Sequence, residues 1–184
     1  MKKKHKCILL LLVISHLSFI QVYSQTLSLN QQNSLFSNWT ASRGKSIASI
    51  STQLKQFNSK WSIKTLKPEV DGYSKSYYWS AQTEMGEPQY YILTVEEDQD
   101  SYKFSVRYLF YHLGEFTKMV TEMRNKSISG QFNEQHDGSK ETYTVLVRKP
   151  NLDYFLTEQK LVNDNGKKNT TYTVDIISKY IDKK

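Results

Sequence analysis

The chain of 184 residues is short of the residue types that brace small exported proteins or carry common chemistry. It has one cysteine, Cys7, which excludes an internal disulfide and any zinc site built from cysteine pairs. Three prolines, Pro68, Pro88 and Pro150, stand between periodic segments, where proline does least harm to helix or strand. Seven glycines are scattered, so no glycine-rich phosphate loop can form, and no G-x-S-x-G elbow occurs. No linker, repeat or low-complexity tract divides the sequence. The acidic run "EEDQDS" (96–101) departs from the EF-hand pattern: Tyr102 stands where a third Asp or Asn is needed, and no glycine follows it. It reads as a solvated hairpin loop. No metal and no cofactor is expected.

Long apolar runs are equally scarce. The one that stands out, residues 7–20, is 14 residues long and lies behind Lys2, Lys3, Lys4 and Lys6. Val22 and Ser24 then occupy the −3 and −1 positions of a small-residue cleavage site. This is the three-part pattern of a secretory signal peptide. The run falls short of the roughly 20 apolar residues that span a bilayer. The expectation is a signal over 1–24 and one exported domain over 25–184, periplasmic or secreted, with no membrane span after cleavage. The short lysine-rich start suggests a bacterial source.

Cleavage changes the charge argument. The chain holds 25 Lys and Arg against 18 Asp and Glu, a net charge of +7, but four of those lysines lie in the leader. What remains is only mildly basic, with no clustered cations, which argues against a nucleic-acid partner. The lone cysteine also goes. Stability must then come from a hydrophobic core, and a domain of this size buries about 68–70% of its unfolded surface.

Apolar periodicity supplies the elements. Ile47, Ile50, Leu54, Phe57 and Trp61 fall on one helical face over 45–61. A shorter helix is expected around Leu35, Phe36 and Trp39. Phe116, Met119, Val120 and Met123 mark another over 115–124. Between these helices the period switches to two, giving strands over 73–80, 89–96 and 102–110. Further strands are expected at 128–134, 141–148 and 170–177. Asn165-Gly166 is a hairpin signal that favours a strand at 154–162, although that run also reads as a helix. His136-Asp137-Gly138 suggests a turn. The predicted fold class is α+β: an antiparallel meander with two or three helices packed on one face.

Requiring opposed residues to share a face fixes the register. Glu96 pairs with Lys103, and Trp79 with Tyr91. Tyr77, Trp79, Tyr91, Leu93, Val106 and Tyr108 then point inward. Tyr78, Tyr90, Ile92, Arg107 and Leu109 form an outward patch, with Tyr111 beyond it. Large exposed apolar patches are uncommon on monomers, so the segment around Leu35, Phe36 and Trp39 is expected to fold over this patch. The other arrangement leaves it open to a partner, for which Tyr and Arg are favoured anchors.

Catalytic constellations are sparse. Outside the leader only His112 and His136 remain. His112 with Glu115 could form an acid/base pair, but a histidine just before a helix is more often a cap or a surface residue. The functional expectation is therefore an exported, non-catalytic binding protein. It would recognise another envelope or extracellular protein through the aromatic sheet face, an immunity or inhibitor protein being one version. The alternatives are a carbohydrate or small-ligand binder stacking on Tyr78, Tyr90 and Tyr111, and a small hydrolase using His112 and Glu115. The first predicts a flat patch, the second a groove between sheet and helix, the third a cleft where the two side chains converge.

Overall fold

A computed structural model describes residues 26–64, 68–137, 142–162, 166 and 168–183. Helices α1 (Leu29–Ala41) and α2 (Ile47–Phe57) come first, followed by strands β1 (Ser62–Ile63), β2 (Glu69–Asp71), β3 (Ser74–Gln82), β4 (Pro88–Glu97) and β5 (Ser101–Phe110). Helix α3 (Leu113–Lys126) leads to β6 (Phe132–Asp137), β7 (Thr142–Arg148), β8 (Leu152–Val162), β9 (Lys168–Ser178) and β10 (Ile181–Asp182). All strands join one antiparallel sheet in the order β1-β3-β4-β5-β9-β8-β7-β6, with β2 also on β3 and β10 also on β5. The chain walks inward from β3 to β5 and crosses over through α3. It re-enters at the far edge as β6, then walks back until β9 closes against β5. This is the expected α+β class.

Local sequence explains where the helices start and stop. At the start of α1, Ser28 Oγ accepts from the Gln31 amide at 3.3 Å and Gln31 Oε1 accepts from the Ser28 amide at 2.8 Å, a reciprocal capping box. Just beyond its end, Arg43 and Gly44 take positive φ (50° and 75°). A Cβ at Gly44 would also press on Val95 and Trp39 at 3.4–3.5 Å, so glycine suits both the turn and the packing. Helix α2 stops at Phe57, short of the expected Trp61. Asn58 is extended, and the Trp61 amide donates to Asn58 O at 3.1 Å, so a turn brings Trp61 back to the same face.

The registers match the sequence expectation: Glu96 faces Lys103 and Trp79 faces Tyr91. The run over 154–162 is strand, not helix, because β7 and β9 pair with it on both sides. Strand β6 starts later than 128–134. His136 is within it and not on a turn, with its ring 4.7 Å from Tyr143. Gly138 and Asn165 lie outside the described residues, as does the whole of the expected signal peptide.

The three helices among the described residues pack on one face. Trp39 of α1 meets Tyr77 and Phe104 edge-on at 5.6 and 6.4 Å. Ser51 of α2 accepts from Trp79 Nε1 at 2.9 Å, and Phe116 of α3 lies 4.9 Å from Tyr172. The expectation that Leu35, Phe36 and Trp39 fold over the outward patch is therefore wrong. They are buried against the inward rows, whose apolar surface is continuous. At the centre, Tyr108 OH donates to Gln89 Oε1 at 2.5 Å and accepts from the Leu27 amide at 3.0 Å, stitching the N-terminal segment to the sheet. Burial pushes the Tyr91 and Tyr108 phenols far above their usual range. No described helix is long and apolar enough to cross a membrane.

Candidate outer-face site

Strand pairing lines up outward side chains in rows that run across the sheet. The central row reads Tyr78, Ile92, Arg107, Asp175, Phe155 and Leu146, one residue per strand from β3 to β7. It is apolar at both ends and ionic in the middle. One flanking row contains Ser76, Thr94 and Ser105, and the other contains Thr173, Thr157 and Thr144. Ser76 and Thr94 hydroxyls are 2.8 Å apart, and those of Thr144 and Thr157 are 3.3 Å apart.

Residues of these rows, including Tyr78, Ile92, Arg107, Asp175, Phe155 and Ile177, line an open hollow of about 620 Å³ on the side of the sheet that is helix-free among the described residues. Arg107 Nε donates to Asp175 Oδ1 at 2.7 Å and Nη2 to Oδ2 at 3.3 Å. This two-point geometry orients the guanidinium edge-on and leaves Nη1 outside the pair. The Arg107 side chain is 59% exposed, whereas that of Asp175 is 15% exposed. Burial raises the Asp175 carboxyl above its usual range, against the opposing pull of Arg107. The Arg107 guanidinium is raised in turn by its hydrogen bond to Asp175. Tyr78 is raised first by its hydrogen bond to Glu69 and then by burial.

The sequence-derived patch is brought together only in part. Tyr78, Ile92 and Arg107 line the hollow. Tyr90 is 39% exposed and lines a neighbouring hollow of about 480 Å³ with Lys60, Ser62, Lys64 and Ser80. Leu109 is half-buried opposite Tyr90, and Tyr111 is half-buried, its phenol raised by burial and then by Tyr90. Asp175, Phe155 and Ile177 were missed. Arg107 and Asp175 are 68 positions apart, so no local pattern shows their pairing. A signal did exist: Asp175 is the one acid in "TTYTVDII", in phase with the outward Thr173 and Ile177.

The alternative acid/base pair is not formed, and His112 takes the capping role that the sequence favoured. His112 is the N-cap of α3, and its Nδ1 accepts from the Glu115 backbone amide at 3.2 Å. The bond engages the Glu115 backbone, not its carboxylate. Among the described residues, no three His, Cys, Asp or Glu side chains are placed to hold a metal ion. No protein-family model matches this chain, and neither does any curated protein or solved structure.

Proposed function

We propose that this chain is an exported, non-catalytic binding protein that recognises another envelope or extracellular protein through the helix-free face of its sheet. One observation carries the reading. The row from Tyr78 to Phe155 holds large apolar side chains around a fixed ion pair, and the three described helices lie on the other side. Aromatic anchors beside a clamped arginine are the composition of an interface centre. The site is neither flat nor set between sheet and helix. It is a shallow hollow, suited to a protruding segment of a partner. The test pairs unfolding curves with capture from the native envelope fraction. Tyr90→Ala and Ile92→Ala should keep the fold and weaken capture by about 2 kcal/mol or more, as anchor truncations do. Capture that ignores both changes overturns the proposal.

The hydroxyl-bearing flanks favour one other reading, a saccharide held by Ser and Thr hydroxyls against Tyr78 and Phe155. Calorimetric titration with neutral oligosaccharides separates the two, since the protein-partner reading predicts no heat. Export has its own test. N-terminal sequencing of the secreted chain should begin at Gln25, and a mature chain that retains Cys7 would contradict it.

A further inference from the structure

Resting on that reading, we infer the chemistry of the segment the hollow takes: an extended stretch of the partner that reads apolar, any residue, carboxamide, any residue, apolar. The spacing comes from the sheet. Ile92 is on β4 and Phe155 on β8, three strand steps apart along the central row. Neighbouring strands lie about 4.8 Å apart, so these side chains are separated by about 14 Å. An extended chain advances about 3.4 Å per residue and points alternate side chains the same way, so residues i and i+4 cover that distance with i+2 midway. Residues i and i+4 would rest on Ile92 and Phe155. Residue i+2 would then stand over the Arg107–Asp175 pair. Because this path crosses the strands, the partner's backbone cannot join the ladder, and its side chains carry the recognition.

Charge decides the central residue. Arg107 and Asp175 cancel, with the carboxylate as the less exposed partner. A glutamate at i+2 would meet Arg107 Nη1 but also the Asp175 carboxylate, and a lysine would meet the guanidinium. An Asn or Gln amide matches both: its oxygen accepts from Arg107 Nη1 and its nitrogen donates to an Asp175 oxygen. The outer partners fill the apolar ends, with Tyr78 next to Ile92 and Leu146 next to Phe155.

The experiment is selection of a phage-displayed random heptapeptide library on the full mature protein, followed by anisotropy titration of the labelled consensus peptide. We expect enrichment of peptides with apolar residues four apart and Asn or Gln midway. Replacing the central amide by Glu or by Lys should weaken binding about tenfold each. These peptide changes cannot disturb the protein fold, so the result does not depend on a variant that might misfold. Ile92→Ala and Phe155→Ala should each weaken the consensus peptide by a similar factor. Selection of acid-centred peptides, of another spacing, or of no trough-dependent motif overturns the inference. If that happens while Ile92→Ala still abolishes capture of the native partner, the outer-face reading stands alone. If capture is also unaffected, both fall.

Discussion

The two faces of the sheet are made from the same strands, in alternate positions along each, yet among the described residues only one is covered. On the inner face the two central rows are apolar: Trp79, Tyr91 and Tyr108 in one, Leu93, Val106 and Ile176 in the next. On the outer face the apolar row is interrupted by Arg107 and Asp175 and flanked by hydroxyls. A helix laid there would strip water from an ion pair for little apolar gain, and burying a pair seldom repays its desolvation. Continuity of apolar surface, more than the count of aromatic residues, decides which face the helices take.

That contrast can be broken by substitution. The largest effect is expected on the inner face. Trp79→Ala should cost about 3–5 kcal/mol in urea unfolding, the range for large aromatic core deletions. Most of a typical domain's margin would go with it. Next comes the polar stitch: Tyr108→Phe leaves the Leu27 amide without its acceptor and should cost about 1–3 kcal/mol. On the outer face, Arg107→Ala should cost a similar amount, because it strands the largely buried Asp175 carboxylate. Tyr90→Ala should cost under about 1 kcal/mol, as exposed positions do. If Tyr90→Ala is as damaging as Trp79→Ala, the outer face is covered after all and the contrast fails.

The smallest effect sharpens the comparison by pH. The Asp175 carboxyl titrates above its ordinary value of about 3.9, so the folded chain holds that proton more tightly than the unfolded one. The group therefore favours the fold below that ordinary value, and the contribution is lost as pH rises through the folded pKa. Asp175→Asn cannot titrate. Its stability relative to the unmodified protein should rise from acid to neutral pH, measured as the difference in urea midpoints at the two conditions. A gap that narrows or reverses would mean that Arg107 outweighs burial at this site.

The fold was largely legible because its signals are local. Period-two alternation in β4 and β5, with the Glu96–Lys103 charge match, was enough to fix a register and hence both faces of three strands. What was not legible is non-local. Alternation marks Asp175 and Ile177 as outward, but nothing within β9 says that it closes against β5, so their place beside Arg107 and that of Phe155 beyond them were not legible. The docking side of α1 was also misjudged, because Leu35, Phe36 and Trp39 show an apolar stripe without saying which surface it meets. Trp61 kept helical phase through a turn, which let α2 look longer than it is. For His112, the sequence offered both a cap and a catalytic base, and the bond to the Glu115 amide shows the cap.

The central claim is that the helix-free face is the one a partner meets. Site-specific photo-crosslinking in the source organism tests it most directly, with a photoreactive residue placed at Tyr78 or Tyr90 on the outer face, or at Ile128 beside the end of α3, which is 71% exposed. The account predicts one discrete adduct from both outer positions and none from Ile128. An adduct from Ile128 with none from Tyr78 or Tyr90 would contradict it.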